Sequence, residues 1–293
     1  MDERGAHPTT TGEGACPTPR SRVVCTLAAL ALLATAHAEP YRERLLSDHP
    51  VAYWTFDELP DCCFENQSHA TIYAKPQDSV GLACPGPRPP EHPLFEATNM
   101  SLDFTEAPHG VYVAIKDPGP ASVFDFTNGD TFTAEAWARP LRLAKDQTAS
   151  VLGKGRTAAA SENQNWALQL REVGGTPRLT FLFHDKETPG PQGWHRFTAT
   201  RGFPAGDAWH HLAATYTFGQ PDSARLTLDG VEIPGAWDLG GPTTTAPIVD
   251  DDEVWIGGAE GGSTAFQFPG MLDEIAIYRT ALTPEQLRQH AGR

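Results

Sequence analysis

Apolar and polar residues alternate in short runs along most of the chain. The segments 51–56, 100–104, 110–115, 131–139, 150–153, 165–172, 178–184, 194–201, 208–218, 224–229, 231–236, 253–257 and 271–279 each read as a strand. Asp229-Gly230 between alternating residues predicts a tight hairpin, and so does Gly174-Gly175 between Leu170 and Leu179. Two segments read as helix. One is 41–47, which Pro50 stops from extending. The other follows Thr283, which can cap, with Pro284 at the first helical position and Gln286 closing a capping box. Many strands, frequent turns, almost no helix and no repeat of fixed period predict an all-β sandwich.

The stretch 270–279 is apolar on most of both faces, so it belongs in the middle of a sheet. Strict alternation puts Asp273, Ile275 and Ile277 on one face and Leu272, Ala276 and Tyr278 on the other. It also points Asp273 and Glu274 to opposite faces, which rules them out as a facing acid–base pair. Residues 60–99 are irregular and rich in Pro, and read as a decorated loop.

Six motifs occur in order: Pro50-Val-Ala-Tyr-Trp-Thr-Phe-Asp-Glu58, Phe132-Thr-Ala-Glu-Ala-Trp-Ala138, Trp209-His-His-Leu-Ala-Ala-Thr-Tyr216, Leu226-Thr-Leu-Asp-Gly-Val231, Trp255-Ile-Gly-Gly258 and the 270–279 stretch. Together they resemble LamG-like jellyroll domains (laminin G type, concanavalin A-like lectin/glucanase superfamily) over residues 45–290. The resemblance implies a two-sheet antiparallel jellyroll sandwich with short helices at its ends, forming one domain over 39–293. It implies neighbouring first and last strands, with a calcium ion held near Asp57 and Asp273. The Glu65-Asn66-Gln67-Ser68 turn could add oxygens, since calcium takes six to eight. The family's usual short turn after the first strand is replaced here by residues 61–68. The resemblance also makes His210 and His211 structural.

Residues 20–38 read as a signal peptide: Arg20 and Arg22, an apolar core, then Ala36-His37-Ala38 as the cleavage box. Residues 1–19 precede it as a disordered extension. A secreted or extracytoplasmic product with no membrane insertion of the mature chain is expected. Residues 1–38 carry three acidic and three basic residues, so the net charge stays at −15 without them. That charge repels nucleic acid and anionic membranes and disfavours sulfated polysaccharides. Export favours disulfides. Of the cysteines beyond the signal, Cys84 is expected to pair with Cys62 or Cys63, closing a loop worth about 3 kcal/mol.

For ligand contact, Glu135, Trp137 and Arg139 alternate away from Phe132, Ala134, Ala136 and Ala138. An aromatic ring between charged groups suits sugar stacking. Gln169 and Arg171, and Trp194, Arg196 and Thr198, alternate the same way on later strands, and the polar faces are expected to converge. The competing reading makes Trp137 a packing residue under a loop. The retaining-glycosidase strand motif with two aligned carboxylates is absent, as are Gly-x-Ser-x-Gly and His-Glu-x-x-His. The expectation is a secreted non-catalytic module that binds carbohydrate or an extracellular protein surface. The alternatives are a divergent glycan-cleaving enzyme on the same scaffold, or a structural domain with no small ligand. Asn66-Gln67-Ser68 and Asn99-Met100-Ser101 are glycosylation sequons.

Overall fold

The computed structural model describes residues 40–59, 62–69, 71–77, 79–105 and 110–293. The expected signal peptide and its cleavage after Ala38 lie outside the described residues. In chain order the elements are α1 (Tyr41–Ser47), β1 (Ala52–Trp54), β2 (Phe64–Glu65), β3 (Tyr73–Pro76), β4 (Gly81–Pro85), β5 (Met100–Asp103) and β6 (Val113–Ile115). Then come β7 (Thr131–Pro140), β8 (Thr148–Lys154), β9 (Trp166–Val173), β10 (Thr176–His184), β11 (Trp194–Ala199) and β12 (His210–Thr217). The last are β13 (Gln220–Leu228), β14 (Val231–Ile233), β15 (Gly235–Leu239), β16 (Val254–Ile256), β17 (Gly270–Tyr278) and α2 (Pro284–His290).

The strands form two antiparallel sheets packed face to face, the sandwich that the alternation predicts. One has eight strands in the order β14-β13-β12-β7-β17-β5-β4, with β1 also against β17. The other has nine, in the order β15-β11-β10-β9-β8-β16-β6-β3-β2. The main core lies between them and includes Trp54, Phe132, Trp166, Leu170, Phe181, Tyr216, Leu272, Ile275 and Ile277. Both hairpins form. Asp229 and Gly230 take positive φ of 50° and 74°, and Gly174 and Gly175 take 64° and 88°, the twist that a two-residue turn needs. The capping box at Thr283 and Gln286 is also present.

Two expectations about the chain path change. Residues 60–99 are not all loop: they hold β2, β3 and β4, too short and too close to Pro for a periodic signal. And β17 carries a bulge between Asp273 and Ala276, with Glu274 at a φ of +51°. The extra residue slips the register by one. Leu272 therefore joins Ile275 and Ile277 in the main core, while Asp273 faces out with Ala276 and Tyr278.

Candidate functional site

The outward faces of the two sheets differ. On the eight-stranded sheet a second apolar cluster sits outside the main core. It joins Tyr41 and Leu45 of α1, Phe95, Trp137 of β7, Tyr278 of β17 and Leu287 of α2. Trp137 is only 3 % exposed. Its Nε1 donates to the Tyr41 hydroxyl at 2.9 Å, and the His92 and Phe95 rings stand edge-on at 4.8 and 5.3 Å. Beside it Glu135 is fully buried. Its carboxylate accepts from the Tyr278 hydroxyl at 2.6 Å and meets His211 Nε2 at 3.0 Å and His290 Nδ1 at 3.0 Å. Burial opposes ionisation of Glu135, but the two imidazoles hold it far below the usual carboxylate range. His290 Nε2 reaches Asp48 at 2.9 Å, so the network clasps α2 to α1 and to the sheet. His210 Nδ1 meets Asp229 at 2.9 Å, at the hairpin. Both histidines thus hold the fold together.

Glu135 and Trp137 therefore do not form a ligand face. They lie under the helices and the 86–99 segment, and β7 belongs to the sheet opposite β9 and β11. Arg139 stays at the rim, with Nη2 at 2.6 Å from Asp207 Oδ1.

On the nine-stranded sheet the polar residues do converge. Leu168, Leu170, Leu179, Phe181 and Phe183 turn into the core, so their neighbours turn outward. Ser150, Gln169, Thr180 and Thr198 fall in one line across β8, β9, β10 and β11. Gln169 is 1 % exposed, and its Nε2 has no hydrogen-bond partner among the described residues. Flanking this row are Arg171 and Arg196, which share Asp238 of β15. Arg171 Nη1 lies 3.2 Å from Oδ2, Arg196 Nε 2.8 Å from Oδ1, and the Thr198 hydroxyl donates to Oδ1 at 2.9 Å. Burial works against the Asp238 charge, but Arg196 and Thr198 hold its carboxyl below the usual range. Trp194 lies one outward step beyond Arg196, with the Arg156 guanidinium 4.9 Å from its ring centre.

Asp238 and Arg178 were missed by the sequence reading. Arg178 alternates outward from Leu179 and could have been found. Asp238 follows Pro234 in a strand whose only inward anchor is Trp237, too weak a pattern to extend the expected 231–236 segment.

At the junction of first and last strands, β1 pairs with β17, Ala52 opposite Ile277 and Trp54 opposite Ile275. Asp57 Oδ1 accepts from the Met100 N–H at 2.9 Å. Asp273 is fully buried and accepts from Asn99 Nδ2 at 2.8 Å. Burial first, then the Glu274 and Asp57 carboxylates, push the Asp273 carboxyl well above its ordinary range. The bulge turns Glu274 to the same side, where the Tyr53 hydroxyl donates to it. The two carboxyls thus share a face, contrary to strict alternation, but both are sealed from solvent. The 65–68 turn does not join them. Asn66 Oδ1 instead accepts the N–H groups of Tyr53, Ser68 and His69. Both sequon asparagines, Asn66 and Asn99, are buried.

The expected disulfide is not formed among the described residues. Cys84 is buried on β4 in the eight-stranded sheet. Cys62 and Cys63 precede β2 of the other sheet, lining a cleft with Arg42, Glu58, Glu65, Gln67 and Tyr73.

A family profile described as the concanavalin A-like lectin/glucanases superfamily, laminin G type, matches residues 110–288. The chain belongs to this family. No curated protein sequence matches it. Solved structures share the fold at low identity. Domain 4 of AbnA, an extracellular GH43 arabinanase from Geobacillus stearothermophilus, in complex with arabinotriose, is 17 % identical with a TM-score of 0.51; 83 % of this chain and 98 % of that domain are covered. The botulinum neurotoxin serotype D ligand-binding domain in complex with N-acetylneuraminic acid is 10 % identical with a TM-score of 0.55, covering 85 % of this chain and 52 % of that one. Trypanosoma rangeli sialidase, bound to 2,3-difluorosialic acid, is 14 % identical with a TM-score of 0.54, covering 83 % of this chain. This chain spans 33 % of the sialidase's length. The laminin G family member is thus a lectin-like sandwich, and no described helix is long and apolar enough to cross a membrane.

Proposed function

We propose that this protein is an extracellular, non-catalytic recognition module that binds carbohydrate on the outward face of its nine-stranded sheet. The observation that carries this reading is Gln169. A buried amide donor without a partner is costly, and this one sits in a row of Ser and Thr side chains flanked by Arg171 and Arg196. Sugar hydroxyls would satisfy that row, and Trp194 offers an aromatic surface at its edge. Sugar-bound proteins of the same fold support the reading. In retention on immobilised glycans, Gln169→Ala is expected to lose binding while its melting temperature stays within a few degrees of wild type. Unchanged retention by Gln169→Ala would move the ligand site elsewhere.

The same reading includes calcium at Asp57 and Asp273. The fit rests on the donor chemistry: the buried Asp273 carboxyl, whose proton affinity burial, Glu274 and the exposed Asp57 carboxylate raise, and an oxygen-only ligand set. Among the described residues no three His, Cys, Asp or Glu side chains are gathered for a metal, so carbonyl and water oxygens would complete the set. Rotating the Asn99 amide by half a turn would exchange its donor for an acceptor there. The ion would supply charge compensation and tie the first strand to the last.

A further inference from the structure

On the outward face of the nine-stranded sheet, the patch over β9, β10, β11 and β15 carries more positive charge than its one carboxylate, Asp238, offsets. Arg171 and Arg178 are direct partners across β9 and β10, and both alternate outward from core leucines, Leu170 and Leu179. Like charges opposite one another on a sheet face repel. Arg196 stands on the next strand, opposite Leu182. Asp238 already engages Arg171 and Arg196. Arg178 has no such partner, and its Nε is buried without a hydrogen bond among the described residues. Around β9, β10, β11 and β15, three guanidinium groups stand with one carboxylate and make this patch positive in a chain of net charge −15.

Asp238 also shows what fits. It occupies the space between Arg171 and Arg196 as a carboxylate held by Nη1, Nε and Nη2 donors at 2.8–3.2 Å. Planar guanidinium groups match carboxylates in this way. Next to that position Arg178 stands opposite Arg171, and Arg178 Nε and the Gln169 amide on the same sheet face have no hydrogen-bond partner among the described residues.

From this we infer that the ligand is a glycan bearing a carboxylate, a uronic or sialic acid residue, with the acid group seated on Arg178 and Arg171 and a neighbouring hydroxyl on Gln169. The inference rests on the carbohydrate reading above and narrows it to an acidic sugar. A single planar carboxylate fits better than a polysulfated chain, because the rest of this acidic protein repels dense negative charge.

The test is a printed glycan array that pairs each neutral glycan with its uronic, sialylated, methyl-esterified and sulfated counterparts, probed with wild type, Arg178→Gln and Gln169→Ala. Carboxylated glycans are expected to bind about tenfold or more above their neutral and esterified partners. Arg178→Gln is expected to remove that margin, and Gln169→Ala to weaken all binding. Equal binding of neutral and carboxylated partners, still sensitive to Gln169→Ala, overturns the acidic-sugar assignment and leaves the carbohydrate reading intact. A preference for sulfated glycans that survives Arg178→Gln also overturns it. No binding to any glycan overturns both. Circular dichroism of the two variants, expected to match wild type, separates loss of binding from loss of fold.

Discussion

The outward faces of the two sheets begin from similar sequence and end in opposite roles. On β7, Glu135 and Trp137 alternate with apolar residues just as Gln169 and Arg171 do on β9. Yet Glu135 and Trp137 are roofed by α1, α2 and the 86–99 segment, while no helix of the second apolar cluster reaches Gln169. The difference lies in what covers each face. Alternation says that a residue leaves the main core; it does not say whether a second layer waits outside. On the roofed face Glu135, Tyr278, His211 and His290 hydrogen-bond to one another, although His211 Nδ1 has no partner among the described residues. On the other face Gln169 Nε2 and Arg178 Nε are buried without a partner among the described residues, and both lie on a polar row rather than in a closed network.

The sharpest way to break this contrast is to cut the roofed network. Glu135→Leu removes the acceptor shared by Tyr278, His211 and His290. Uncompensated buried partners put the expected loss at about 3–5 kcal/mol, read from urea unfolding. A loss below about 1 kcal/mol would show that the clasp contributes little to stability.

The next effect concerns calcium and pH. Burial lowers the proton affinity of His290, but Glu135 and Asp48 outweigh it and raise its pKa above the ordinary value. Its stabilisation is therefore complete below the unfolded imidazole pKa of about 6.5 and fades as pH rises through the folded value. Asp273 and Glu274 are also raised, chiefly by burial, so they too favour the fold below about pH 4 and lose that contribution as pH rises through their folded values. Glu135 is lowered, which costs stability only on acidification below about pH 4.5. Metal-free protein should thus melt at a lower temperature at pH 8 than at pH 6. Calcium at a hundredfold excess over Kd should restore about 2.7 kcal/mol, a fixed calcium concentration should restore more at pH 8 than at pH 6, and Asp273→Ala should abolish the gain. Melting curves that ignore both EDTA and calcium would dismiss the metal.

Much of the scaffold was legible in the chain. Asp229-Gly230 and Gly174-Gly175 encode their turns locally, and Thr283 with Gln286 encodes its cap, because each depends on neighbours within a few residues. The bulge at Glu274 was not legible: one inserted residue leaves no trace in composition, yet it reverses the face of Asp273. β2 to β4 escaped because strands of two to five residues are too short for a period. Of the candidate site, Gln169, Arg171 and Arg196 were found by alternation, whereas Asp238 depends on β15 pairing with β11, a long-range event.

The smallest effect sharpens the contrast from the other side. Arg196→Ala removes a partly exposed ion pair with Asp238 and should change stability by no more than about 0.5 kcal/mol in thermal melts. A larger loss would mean that the arginines brace the sheet, which would give both faces the same structural role.

Hydrogen–deuterium exchange, measured with and without the tightest-binding glycan from the array, tests the central claim most directly. Added protection is expected in β9, β10, β11 and β15, with α1, α2 and β7 unchanged. Protection confined to α1, α2 and the 86–99 segment would contradict the account, because it would put the ligand on the roofed face.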